Sequence, residues 1–332
     1  MCLVFGAFVV KYGITECQKE QSFMKIVVLD GKTLASANEE LDGLKQFGEL
    51  VIYDLTGPEE VEERIADADV VLCNKVVLGA HNLPRAKKLK YIGLFATGFN
   101  NIDTEYCRKN GIVVANAGSY STEAVAQHTF ALILNHYNQI SRYGNYVAEG
   151  EWKKSKTFSV FTFPIHELMG KTIGIVGYGA IGKEVGRIAE AFRMNVLTYT
   201  RKNSREEFEY LLANSDIITV HCPLNDESAG MFDKKTFDKC KDGAYFVNTS
   251  RGGVVIEEDL AEALDRGKLS GAAIDVLTYE PMREDCVLFG AKNITITPHV
   301  AWAPVETRKR LTDIVVDNIR CFIEGHPKNR VN

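Results

Sequence analysis

No C-x-x-C pair occurs in this sequence, and no cysteine–histidine spacing of the kind that builds a zinc site. The eight cysteines (Cys2, Cys17, Cys73, Cys107, Cys222, Cys240, Cys286 and Cys321) are scattered. That pattern argues against a disulfide scaffold or a cysteine metal cluster and fits free thiols in a reducing cytosol. A cytoplasmic protein without a bound metal is expected. There is no basic excess either. The net charge of −5 gives no general attraction to nucleic acid or to an anionic membrane, so neither is expected as a partner. No apolar run approaches the roughly 20 residues that a membrane span needs. Met1–Val10 is apolar but lacks a basic n-region and a convincing cleavage site, so residues 1–23 read as an extension that the fold does not need. Repeats and low-complexity tracts are absent.

What is present is the composition of an ordinary globular protein, 45% hydrophobic and 25% charged over 332 residues, enough for about two domains. From Lys25 onward, short β-branched runs alternate with amphipathic stretches, the mark of βαβ units and parallel sheets. The first third offers strands at Lys25–Leu29, Leu50–Tyr53, Val70–Cys73, Tyr91–Phe95 and Ile112–Ala115, with helical patterns at Ser36–Phe47 and Glu59–Ala66. A long apolar helix follows over Thr122–Tyr137, with Ser121 as its N-cap. A second series places strands at Thr172–Val176, Asn195–Tyr199, Asp216–Val220, Ala244–Asn248, Ala272–Val276 and Ile294–Thr297, and a last helix at Val305–Glu324. The expected fold is α/β, with two doubly wound parallel-sheet domains. One is discontinuous, 1–118 plus 299–332, and the other, 119–298, is a Rossmann-type dinucleotide-binding domain.

Gly177-Tyr178-Gly179-Ala180-Ile181-Gly182 is the strongest local motif. G-x-G-x-x-G alone is weak, but here a strand precedes it and the stripe Ile181, Val185, Ile188, Ala189, Phe192 supplies the helix that the motif requires. Gly177 suits a tight turn, Gly179 a close approach of pyrophosphate to the backbone, and Gly182 close helix–strand packing. Free N–H groups at the helix start then bind phosphate. At the end of the next strand a carboxylate would hold the adenosine ribose. The sequence has Thr200 there, followed by Arg201 and Lys202. Loss of the negative charge and gain of Arg201 favour NADP over NAD, the plain alternative being a solvated basic loop.

Three strand ends of the second series carry reactive groups. One strand runs into Thr249-Ser250-Arg251, another carries Asp275 and leads to Glu280, and a third runs into Pro298-His299. In an open α/β sheet these ends share one edge with the phosphate loop. Reduction of a 2-oxo acid uses such groups. Arg251 would bind the carboxylate or polarise the carbonyl, His299 would donate the proton as hydride arrives, and Glu280 would orient the imidazole and balance its charge.

The segments IGIVGYGAIG, HCPLNDESAG, VNTSRGG, AAIDVLTYEP and TPHVAW, with ATGFNNID and GSYSTEAVAQHTFALIL in the first third, resemble the D-isomer-specific 2-hydroxyacid dehydrogenase family. The resemblance covers nearly everything from Met24 onward and is nearest to glycerate dehydrogenases, the hydroxypyruvate or glyoxylate reductases. It implies a flavodoxin-like substrate domain beside the Rossmann domain and a homodimer. It also implies Arg251, Glu280 and His299 as the catalytic set, acting on a small 2-oxo or 2-hydroxy acid. Asp275 then resembles a residue at the nicotinamide end of the cofactor, Cys222-Pro223 would lie on the adenine side, and Thr249 would lie near the cofactor. Amides around Thr97 and Gly98 would meet the substrate carboxylate, and Lys75 is a further substrate-site candidate. Two other readings compete. One is a dinucleotide-sensing, corepressor-like binding protein on the same fold, disfavoured by the intact trio and the lack of a long disordered tail. The other is a Rossmann methyltransferase, which needs no proton donor coupled to hydride.

Overall fold

The computed structural model describes residues 24–34 and 41–332. The expected extension at 1–23, and residues 35–40 of the expected Ser36–Phe47 helix, lie outside the described residues. The chain divides into two units, Met1–Ala117 with Thr312–Asn332, and Gly118–Leu311.

In the first unit, β1 (Met24–Val28), β2 (Gly48–Ile52), β3 (Val70–Cys73), β4 (Tyr91–Leu94) and β5 (Val113–Ala115) form a parallel sheet in the order β2-β1-β3-β4-β5. All residues of β3 and β4 are buried, as expected of unbroken apolar runs in a sheet covered on both faces. Among the described residues before Ala117 the α-helices are α1 (Val61–Ile65) and α2 (Thr104–Lys109). Asp42–Phe47 is a 3-10 helix rather than part of an α-helix. Gly43 weakens helix in its middle. Strand β2 begins at Gly48, two residues before the expected Leu50, and a Cβ on Gly48 would lie 1.9 Å from the Met24 carbonyl oxygen. Glycine here allows the close approach of β2 to β1.

In the second unit, β6 (Thr172–Val176), β7 (Asn195–Tyr199), β8 (Ile217–Val220), β9 (Ala244–Asn248), β10 (Leu269–Ile274) and β11 (Ile294–Ile296) form a parallel sheet ordered β11-β10-β9-β8-β6-β7. Counted from its own first strand the order is 2-1-3-4-5-6, so the direction of winding switches between β6 and β8. Successive residues of β9 enter opposite cores. Ala244 and Phe246 pack with Ile218, Val220 and Phe232, whereas Tyr245 and Val247 pack with Ile173, Ile175 and Ile217. That two-residue period is what a doubly wound sheet requires.

Helices α3 (Thr122–Asn138), α4 (Ile140–Ala148), α5 (Ala180–Ala191), α6 (Arg205–Asn214), α7 (Lys234–Lys239) and α8 (Glu257–Asp265) connect these strands. Helix α3 packs on α5, with Phe130 stacked on Phe192 at 5.5 Å between ring centroids. Ser121 precedes α3 but makes no side-chain capping bond, its φ of −112° and ψ of 12° lying outside the extended cap conformation. The last helix, α9 (Val305–Ile323), contains the point of division between the units. It stops as expected before Gly325, whose φ of 85° suits glycine. No helix among the described residues is long and apolar enough to cross a membrane.

Candidate active site

Four loops at the carboxyl ends of β6, β8, β9 and β10, and the turn after β11, carry most of the residues singled out from sequence. At the switch point, Gly177 has a φ of 96°, and a Cβ there would lie 2.5 Å from the Cys222 backbone nitrogen. Only glycine permits both the conformation and the approach. A Cβ on Gly182 would sit 2.2 Å from the Gly177 carbonyl oxygen, so the first turn of α5 lies directly against the loop. Gly179 differs: its Cβ would meet nothing within 4 Å. The loop is tight where it packs on protein and open at the α5 N-terminus, where Gly179, Ala180 and Ile181 present backbone N–H groups. Burial pushes the Cys222 thiol above its ordinary range, and the neighbouring Pro223 carbonyl accepts a hydrogen bond from Ser228 Oγ at 2.6 Å.

Beyond β7, the Thr200 amide and hydroxyl both donate to Asn203 Oδ1, at 2.8 and 3.0 Å. Asn203 in turn donates to Glu207, whose carboxylate caps the start of α6 at the Ser204 amide. Glu207 is thereby occupied as a capping residue, while Arg201 and Lys202 are exposed.

The strand end at β9 is fixed by its own polar groups. Asn248 Nδ2 donates to the Arg251 carbonyl at 2.9 Å, and Arg251 Nη1 donates to the Ser250 carbonyl at 2.7 Å. The rest of the guanidinium fork extends from an exposed residue. Thr249 is buried, and its hydroxyl lies 3.2 Å from Thr129 Oγ1 and 3.4 Å from His221 Nδ1. Thr129 gives its own hydrogen to the Val125 carbonyl, so Thr249 donates to Thr129 and accepts from His221 Nδ1–H. His221 Nε2 is then left to accept from Thr219 Oγ1, at 2.9 Å. Desolvation lowers His221 to about 3, in keeping with this neutral tautomer.

Glu280 and His299 meet directly, with Nδ1 2.6 Å from Oε2. The other Glu280 oxygen accepts the Leu277 amide at 3.0 Å, which fixes the carboxylate. His299 sits at φ 55°, a left-handed conformation that costs an L-residue roughly 1–2 kcal/mol. Asp275 holds that turn. It is 1% exposed, and it accepts the Val300 and Ala301 amides at 2.9 and 2.8 Å and the Thr297 hydroxyl at 2.5 Å. Strands β10 and β11 end at Ile274 and Ile296, before the expected Val276 and Thr297. The Asp275 and Thr297 amides still donate to the Asn248 and Ile274 carbonyls, and the chain from 298 to 301 then forms the turn that Asp275 holds. A Cβ on Gly252 would lie 1.9 Å from the Leu277 carbonyl carbon, so the Arg251 loop packs against the segment leading to Glu280.

In the first unit, Lys75 follows β3, and Thr97 and Gly98 follow β4. Asp30, at the end of β1, accepts the amides of Asn74, Lys75 and Val76. Burial raises its carboxyl, against the pull of those amides and of Lys75. Asn101 Nδ2 donates to the Val76 carbonyl at 2.8 Å and Asn116 Nδ2 to the Thr97 carbonyl at 2.7 Å, so side-chain amides fix both loops. Asp30, Thr297, His128 and His221 escaped the sequence reading. Asp30 alone left a local signal, a carboxylate directly after the strand KIVVL; the others depend on which loops the fold brings together.

The family model for the D-isomer specific 2-hydroxyacid dehydrogenase NAD-binding domain matches residues 130–301. A hydroxypyruvate reductase of Blautia hydrogenotrophica is 41% identical over 321 residues, covering 93% of this chain and 100% of its own. This chain belongs to the D-isomer-specific 2-hydroxyacid dehydrogenases. A glycerate dehydrogenase of Methylorubrum extorquens is 37% identical over 312 residues, covering 92% of this chain and 98% of its own. Among solved structures, a D-lactate dehydrogenase from Aquifex aeolicus complexed with NAD and lactic acid superposes with a TM-score of 0.78 at 28% identity, covering 91% of this chain and 96% of that one.

A dehydrogenase of this family uses a nicotinamide dinucleotide, and the residues present fit one. The open face at Gly179 and the amides of the α5 N-terminus match a pyrophosphate. The bound dinucleotide would supply or accept the hydride, with the 177–182 loop as its phosphate cradle.

Proposed function

We propose that this D-2-hydroxyacid dehydrogenase reduces a small 2-oxo acid, hydroxypyruvate to D-glycerate or glyoxylate to glycolate, with NADP(H) preferred over NAD(H). The observation that carries this reading is the 2.6 Å His299–Glu280 pair, on the same sheet edge as Arg251. The names of the relatives support the substrate class. Because Nδ1 is held by Glu280, Nε2 is the nitrogen that delivers the proton to the substrate carbonyl oxygen as C2 receives the hydride. His299 is left neutral, with Nδ1–H still on the carboxylate. Arg251 polarises that carbonyl or pairs with the substrate carboxylate through the donors that Ser250 does not occupy. Thr249, Cys222-Pro223 and Asp275 stand on the cofactor side, with the Asp275 carboxylate acting also on the His299 turn. Amides at Thr97 and Gly98, with Lys75, bind the substrate carboxylate.

The cofactor preference rests on Thr200 standing where a carboxylate would exclude a 2′-phosphate, and on exposed Arg201 and Lys202 beside it. A homodimer is part of the same reading, built on the apolar surface that begins at α4. A cytoplasmic location suits the free described cysteines. Initial rates of NADPH and NADH oxidation with hydroxypyruvate, glyoxylate and pyruvate test the reading. Turnover of the first two with NADPH preferred is expected. NADH preferred would remove the cofactor assignment alone. Dinucleotide binding without turnover of any acid would favour a sensor over an enzyme of these substrates.

A further inference from the structure

Thr297 has one hydroxyl hydrogen, and it goes to Asp275 Oδ1. Its oxygen lies 3.1 Å from His128 Nε2, on the inner length of α3. A hydroxyl whose hydrogen is already committed can only accept at that contact, so His128 carries a proton on Nε2 and donates it. The same nitrogen lies 3.6 Å from Asp275 Oδ1. The result is a one-way chain from His128 Nε2–H to Thr297 Oγ1–H to the Asp275 carboxylate. Both oxygens of that carboxylate also take backbone amides from the turn that holds His299. The helix supplying His128 is a firm base: Ala126, Phe130 and Ile133 are buried in the core beneath the sheet. The next residue, Thr129, ties the same helix to Thr249 at the neighbouring strand end.

We propose that His128 is a positioning residue for the proton donor. It touches neither His299 nor Glu280. It fixes the rotamer of Thr297, which fixes one oxygen of Asp275, and so sets the place of the His299 turn relative to the sheet edge. The inference rests on His299 as proton donor and deepens that reading by assigning α3 a part in the reaction.

The test compares the whole enzyme with His128→Ala, His128→Gln, Thr297→Val and the double variant His128→Ala/Thr297→Val. For each, kcat and KM are measured with the 2-oxo acid that the wild type turns over, and NADPH affinity by fluorescence. His128→Ala is expected to lower kcat about tenfold, the scale of a small misplacement of a reacting group, while NADPH affinity stays within about twofold. Glutamine, which keeps an N–H donor, is expected to recover most of the loss. The double variant is expected to be no worse than the poorer single one, because both act on one chain. A kcat for His128→Ala within twofold of wild type, or a glutamine variant no better than alanine, would overturn the proposal. Nitrogen-15 NMR of the unmodified protein gives a check without turnover: a proton on Nε2 of His128 is expected, and a bare Nε2 would overturn the chain. If His299→Ala kept full activity, the reading of the donor would fail instead, whatever the His128 variants did.

Discussion

At the scale of single residues, two glycines of the second unit make opposite demands. A methyl group at Gly252 would meet the Leu277 carbonyl carbon at 1.9 Å and the Thr278 nitrogen at 2.3 Å, whereas one at Gly179 would meet nothing within 4 Å. The first is closed by the protein's own backbone; the second leaves space that the protein does not fill. Gly252→Ala is therefore expected to push the Arg251 loop away from the Glu280 segment, costing about 1–3 kcal/mol as overpacking does and lowering kcat/KM at least tenfold. Gly179→Ala is expected to leave the melting temperature within about a degree and to weaken dinucleotide binding. Thermal melts and NADPH titrations of both variants check this. A normal melt with full activity for Gly252→Ala would show that the two loops are not coupled. The candidate trio Arg251, Glu280 and His299 and the glycine loop 177–182 stand out in the sequence because each sits near a strand end or in a spaced motif. Asp275 was legible only in part. Its place at a strand end marked it, but its bonds to Val300 and Ala301 depend on a turn lying 25 and 26 residues further along.

At the scale of elements, β3, β6, β7 and β9 have the bounds that the sequence suggested, because their apolar runs lie mid-sheet or begin at a clear turn. Two of the differences, at the start of β2 and at the ends of β10 and β11, have physical causes. Gly48 extends β2 toward its start because it allows close strand pairing with Met24, and the chain just beyond β10 and β11 is taken up by bonds to the Asp275 carboxylate. Helix α4 was not expected; Ile140, Tyr143 and Val147 do recur at helical spacing, but none of its residues is buried, and the left-handed Gln139 (φ 53°) sets it off from α3. The segment after it exposes Phe158 at 90% and Phe161 at 89%, with Trp152 and Ile165 also exposed. Apolar side chains so bare on one continuous stretch mark an interaction surface, and a second copy of the chain is the occupant proposed for it. Light scattering of the full chain is expected to give twice 37.0 kDa, and Phe158→Ser/Phe161→Ser to shift the mass toward the monomer. A wild-type monomer at micromolar concentration would contradict the proposal.

At the scale of the whole molecule, the chain uses one winding pattern twice. Both sheets run 2-1-3-4-5 from their own first strands, and the second adds a sixth strand. In each, polar groups gather at the carboxyl ends near the switch point: Asp30 with the Asn74–Val76 amides in one, the 177–182 loop with Cys222 in the other. Alternation of strand and helix patterns made the α/β class readable. The strand order was not readable, because parallel neighbours are chosen by packing and not by sequence distance; the second sheet pairs its first strand with its third, β8, where a 3-2-1-4-5-6 Rossmann order would pair it with its fourth. In the proposed mechanism the loops of the second unit hold His299 Nδ1 on Glu280 and leave Nε2 to move the proton. Turnover of His299→Ala tests this most directly, measured with NADPH and hydroxypyruvate alongside NADPH affinity. A fall in kcat of roughly a hundredfold or more, the usual contribution of a general acid, is expected with cofactor affinity kept. Unchanged kcat would remove His299 from the reaction and the proposed mechanism with it.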